Sequence, residues 1–123
     1  MKKFLASAAV LALLTGGAFA GNMSDIDQWG DLNAAAHVQA GNLNTALTTQ
    51  ISPVGGPGNL DIAFQTGVAN TSSTLQVGGN NQSLSDQFGA LNTSNTTQVG
   101  FNGHVAVHTQ TGTGNVAISV QTD

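Results

Sequence analysis

Gln65-Thr66-Gly67-Val68-Ala69-Asn70-Thr71-Ser72-Ser73-Thr74-Leu75-Gln76-Val77-Gly78-Gly79-Asn80-Asn81 contains a full unit of Gln-x-Gly-x-x-Asn plus five residues, and the start of the next. The same unit runs outward in both directions. Upstream it reads Gln28-Trp29-Gly30-Asp31-Leu32-Asn33 and Gln39 to Asn44; downstream it reads Gln87 to Asn92 and Gln110 to Asn115. Gln stands at 28, 39, 50, 65, 76, 87, 98, 110 and 121, a period of eleven broken by one step of fifteen and one of twelve. A fixed short period is the mark of a repeat architecture and takes precedence over any local motif.

Within a unit, Gly two places after Gln and Asn three places later supply residues that tolerate positive φ, so Gln-x-Gly-x-x-Asn reads as a tight turn. Gly30, Gly41, Gly67, Gly78, Gly89, Gly100 and Gly112 hold that turn position. The five residues between Asn and the next Gln read as a short strand, in which alternate side chains share a face. One face is then Asn70, Ser72, Thr74, Gln76, or Asn33, Ala35, His37, Gln39, or Asn59, Asp61, Ala63, Gln65. Small residues bracketed by amides recur on that face while the other face varies freely, so the small face is expected inside, between closely approaching sheets.

Eleven residues are too few for a strand and a crossover helix. The expected fold is all-β: a β-solenoid of nine short strands, two per coil, with coils stacked about 4.8 Å apart. Stacking places Gln28, Gln39, Gln50, Gln65, Gln76, Gln87, Gln98, Gln110 and Gln121 in ladders, and likewise Asn33, Asn44, Asn70, Asn81, Asn92 and Asn115. Each amide then donates to one neighbour and accepts from the other, the device that makes cross-β Asn and Gln interiors tolerable. The long step follows Gln50, where residues 51–58 insert a Pro/Gly loop, and register resumes at Asn59.

Composition narrows the function. The chain has 123 residues, no Cys, no Tyr, one Trp and 16 Gly, so disulfides, thiol chemistry and a large apolar core are all excluded. Its two basic residues, Lys2 and Lys3, precede an apolar run from Phe4 to Leu14 and an Ala18-Phe19-Ala20 ending, the three-part pattern of a secretory leader over 1–20. That run is too short to span a bilayer. Residues 21–123 then hold only acidic charge, all Asp, which disfavours nucleic acid. The first unit starts at Asn22 and the last ends at Gln121, with no capping repeat expected. Open coil ends are templates for another copy, and end-to-end growth into an amyloid-like fibre is the expected consequence.

The pattern Gln-x-Gly-x-x-Asn-x-Ala resembles the repeat of curlins, the subunits of bacterial curli fibres. Gln39-Ala40-Gly41-Asn42-Leu43-Asn44-Thr45-Ala46 and Thr97-Gln98-Val99-Gly100-Phe101-Asn102 carry it most closely. The resemblance runs from Asn22 to Gln121 and implies a secreted, cell-surface fibre subunit serving adhesion and biofilm matrix. It also implies a minor curlin nucleator, an outer-membrane export pore and a periplasmic chaperone as partners. The family's nucleator has a basic terminal repeat, so a chain without Lys or Arg after residue 3 resembles the major subunit more. Gly21 leads directly into Asn22, without the Gly-rich segment that precedes the first repeat of major curlins.

Other chemistries fare poorly by inspection. His104 and His108 share one strand face, but His37 would lie about 14 Å from His108 at the strand spacing, too far for one ion. The Asp residues form no calcium loop. Asp25, Asp27 and Asp86 fall on the outward face, where a charge restrains unwanted edge pairing. No acidic residue is expected beside a Ser or His, so no nucleophile triad, catalysis, metal or cofactor is anticipated. Asn-x-Ser/Thr sequons arise by chance in such a composition. The alternatives are a minor or anchoring subunit or surface adhesin and, more distantly, a soluble solenoid whose Thr45, Thr49, Thr71, Thr93 and Thr97 face ice or carbohydrate.

Overall fold

The computed structural model describes residues 9–15 and 21–123. The fold is all-β, a parallel β-solenoid of about four turns. Its strands are β1 (Ala9–Thr15), β2 (Met23–Trp29), β3 (Ala34–Asn42), β4 (Thr45–Ile51), β5 (Leu60–Val68), β6 (Thr71–Gly78), β7 (Gln82–Ala90), β8 (Thr93–Gly100), β9 (Val105–Thr113) and β10 (Val116–Thr122). Odd strands form one parallel sheet in chain order and even strands the other. The chain therefore alternates between two facing sheets, one strand in each per coil. The nine repeat strands are β2 to β10. Residues 9–15, inside the proposed leader, pair with β3 in the register Leu14↔Gln39; the remainder of 1–20 lies outside the described residues.

Register follows the repeat. Gln39, Gln65, Gln87 and Gln110 pair in one column, and Gln28, Gln50, Gln76, Gln98 and Gln121 in the other. The insertion leaves this untouched, because Asn33 and Asn59 stack across it. Asp31 holds the loop: its carboxylate accepts from the Gly55 N–H at 2.7 Å, and its carbonyl accepts from the Ser52 hydroxyl at 2.6 Å.

The interior is the small, amide-bracketed face. Among the described residues the buried apolar ones are Ala35, Ala46, Ala63 and Ala106; Ile26 lies half-buried on the inward face of β2 in the column of Thr48, and the other Leu, Phe, Ile and Trp side chains are outward or in turns. Hydrophobic burial inside the solenoid is accordingly small, and backbone pairing plus the amide ladders must stabilise it.

Two turn details differ from the sequence reading. Strands extend past Gln into the turn, since Gly41 still pairs with Gly67 and Gly67 with Gly89. The second left-handed position is the residue before Asn, at Leu32, Leu43, Ala69, Asn80 and Leu91 with φ of 56 to 62°, rather than the Asn itself. The Asn must stay extended to enter the ladder, so the reversal moves one place back. Placing Leu there costs about 1 to 2 kcal/mol, offset by cross-coil turn bonds such as Leu91 N–H to the Val68 carbonyl at 2.9 Å.

Candidate functional site: the amide ladders and the open coil ends

Each Gln occupies the last inward position of its strand, where a long amide reaches both the coil above and the opposite sheet. Gln39 Nε2 donates to Gln65 Oε1, Gln65 to Gln87 and Gln87 to Gln110, each at 2.8 Å. The even sheet repeats this from Gln28 through Gln50, Gln76 and Gln98 to Gln121 at 2.7 to 2.8 Å. The second Nε2 hydrogen crosses to a backbone carbonyl of the facing sheet, as Gln87 does to Thr71 at 2.9 Å. Every ladder Gln from Gln39 to Gln121 therefore ties coil to coil and sheet to sheet, while Gln28 bonds only to Gln50.

The Asn ladders run at the turns and point the other way. Asn70 Nδ2 donates to Asn44 Oδ1 at 3.0 Å, Asn92 to Asn70 and Asn115 to Asn92, both at 3.1 Å. The opposite turn stacks Asn33, Asn59 and Asn81, with His104 in the fourth place. His104 Nδ1 and Asn81 Oδ1 are 3.1 Å apart. Asn59 belongs to the ladder too, as its inward place implied, and Asn22 Oδ1 accepts from the Asn44 backbone N–H at 3.0 Å. Gly100-Phe101-Asn102-Gly103 carries one extra residue, which leaves Asn102 exposed and gives its ladder place to His104.

Opposed donor directions give the two ends opposite chemistry. At the β2/β3 end, where β1 lies along β3, Gln28 Oε1, Gln39 Oε1 and Asn22 Nδ2 are buried without partners. At the β9/β10 end, Gln110 and Gln121 each spend one Nε2 hydrogen on a backbone carbonyl, Thr93 at 2.9 Å and Val105 at 3.0 Å, which leaves the other pointing outward along the ladder. Asn115 Oδ1 likewise ends its column. Acceptors and a donor at one end thus match donors and an acceptor at the other.

Asp25, Asp27 and Asp86 are exposed and outward, as expected. Asp61 is not beside solvent but fully buried, and it corrects the expectation that no acid lies near a His or hydroxyl. Thr48 Oγ1 donates to Asp61 Oδ2, His37 Nε2 lies 2.7 Å from Thr48 Oγ1 and 3.7 Å from Asp61 Oδ2, and Ser24 Oγ lies 2.9 Å from His37 Nδ1. Alternation placed Asp61 inward; what sequence spacing did not give was the diagonal contact across two coils and two sheets. The cluster has the residue types of a proton relay, but His37, Thr48 and Asp61 are 1, 3 and 0% exposed and face the opposite sheet.

His37 and His108 share one column three strands apart, with Ala63 and Ser85 between. Among the described residues, no group of three His, Cys, Asp or Glu side chains converges. Thr45, Thr71 and Thr93 stack on the outer face, and Met23 and Val116 interrupt the column at its ends. No helix of the described residues is long and apolar enough to cross a membrane. No family model, curated protein or solved structure matches the chain.

Proposed function

We propose that the chain is a structural subunit of an extracellular, curli-like functional amyloid, growing end to end to serve adhesion and biofilm matrix. The observation that carries this reading is the polarity of the ladders: buried Gln28 Oε1 and Gln39 Oε1 await donors of the kind that Gln110 and Gln121 present at the far end. Removal of residues 1–20 uncovers the β3 edge, and each amide bond made when two ends then join contributes about 0.5 to 1.5 kcal/mol, repeated at several ladder positions. The edge backbones of β9 and β10 add a strand template. Like ends do not match, which makes the growth unidirectional in orientation, head to tail.

The leader pattern over 1–20 and the curlin-like repeat support secretion to a bacterial surface. On this reading the partners are other copies of the chain, with a minor nucleator, an export pore and a periplasmic chaperone. Seeding tests it. Sonicated fibres of the chain should abolish the lag of fresh monomer, as a major subunit requires. A chain that adds only to fibres of another protein is instead a minor or anchoring subunit, and one that never adds to fibres is neither.

A further inference from the structure

Resting on that fibre reading and on removal of residues 1–20, the geometry points to a particular junction between copies. β2 of one copy pairs in parallel with β9 of its neighbour, and β3 with β10, so that successive copies are turned half a revolution about the fibre axis.

The odd-strand sheet ends in a slot one strand wide. Beside β3, and level with β2, the structure places β1, so the odd-strand sheet accepts a parallel strand there in register with Gln39. Loss of residues 1–20 empties that slot and leaves a stepped end, β2 projecting half a coil beyond β3. If the neighbour stacks without rotation, its β10 meets β2, and its β9 faces β3 across the empty slot. Two strand edges then keep unpaired backbone groups inside the fibre. Gln28 Oε1 finds Gln121, but Gln39 Oε1, already without a partner, still has none.

A half-turn closes the step. Successive strand-turn units are related by half a revolution and half a strand spacing, because the chain alternates sheets at every unit. β2 is then equivalent to the next unit after β10, and belongs on β9. The register follows from the ladder positions: Met23 on Val105, Gln28 on Gln110, Ala34 on Val116 and Gln39 on Gln121. Both orphaned Gln oxygens receive a donor, from Gln110 and Gln121, and Asn33 comes to stack on Asn115. No strand slot remains.

Two double variants of the full-length chain, exported from a bacterial host with the N-terminus read by mass spectrometry, test the junction. One is Met23→Cys with Val105→Cys, and the other Met23→Cys with Val116→Cys; all three positions are exposed and outward. Within a copy Met23 pairs with Thr45, so neither variant can close on itself there. After assembly and mild oxidation, the first should give a covalent ladder on a non-reducing gel that collapses on reduction, at least tenfold stronger than the second. Helical reconstruction should show an advance of about 22 Å per copy with a half-turn, against about 24 Å without rotation.

A stronger ladder from the Met23/Val116 pair, or fibres in which neither pair links, overturns the half-turn while leaving the fibre reading standing. Absence of any fibre from the unsubstituted chain overturns the fibre reading and the junction with it.

Discussion

Gln65 and Gln87, 22 residues apart in the chain, stack side chain on side chain, with the Nε2 of the first donating to the Oε1 of the second at 2.8 Å. The same bond recurs along both sheets, so the repeat period is written directly into the interior chemistry. In a core whose buried apolar residues, among those described, are four alanines, these bonds carry energy that side-chain packing carries elsewhere.

Substituting Gln87 by Ala should therefore cost more than an ordinary polar substitution. It strands one hydrogen of Gln65 and the Oε1 of Gln110 in a buried column, for a loss of about 2 to 4 kcal/mol. At the ends, Gln39→Ala and Gln110→Ala should destabilise the single copy less but slow fibre growth. Urea unfolding and elongation rates, measured side by side, separate the two effects; equal effects at the middle and the ends would contradict the ladder account.

Turn positions divide into two kinds. A Cβ on Gly67 would lie 1.8 Å from the Gly89 carbonyl oxygen at a φ of 125°, so Gly67→Ala should cost at least about 3 kcal/mol. Leu91 sits left-handed at φ 57° and is 61% exposed, so Leu91→Gly should stabilise by about 1 kcal/mol. Thermal unfolding of the two variants, shifted in opposite directions, is the expected result.

Thr48 bridges His37 and Asp61 through one hydroxyl. Thr48→Val keeps the volume and removes the bridge, leaving two buried groups short of a partner, and should cost about 2 to 4 kcal/mol. Thr48→Ser should recover most of that loss. Equal losses in both variants would mean that the methyl group, not the hydroxyl, matters.

Burial lowers the pKa of His108 from its ordinary 6.5. The folded chain then binds fewer protons at this site than the unfolded chain at pH values between the lowered pKa and 6.5. The contribution is full above 6.5, is lost as pH falls through that window, and levels off below it. Unfolding midpoints should fall between about pH 8 and about pH 5, and His108→Ser should flatten that slope relative to the unsubstituted chain. Ser85 holds the same column, so Ser is tolerated there.

Asp86 stands in an outward column with Val38, Phe64 and Thr109. Replacing it by Asn removes the charge in that column and should shorten the lag before fibre growth about twofold or more. An unchanged lag would reduce Asp86 to a solvated surface residue.

Much of this architecture was legible in the sequence because the Gln period and the alternation of Ala, Ser and Thr report the same two facts, coil length and inward face. Asn59 and Gln65 resume register after the Pro53 to Gly58 loop, so even the insertion could be placed. The left-handed residue was missed because three of its positions are Leu, a poor signal, although Asn80, Gly103 and Gly114 in the equivalent place carried the hint. The Thr48 to Asp61 contact was out of reach because it joins residues 13 apart on different sheets, a distance no local spacing encodes. The polarity of the ladders was equally hidden, since an amide's direction is set by its neighbours and not by its identity.

On the fibre proposal, matched ends make copies of this chain join. Thioflavin T fluorescence of residues 21–123 after dilution from denaturant, with fibre diffraction of the product, tests it most directly. A lag, then growth, and a reflection near 4.7 to 4.8 Å along the fibre axis are predicted; a persistent monomer with β-type circular dichroism would contradict it.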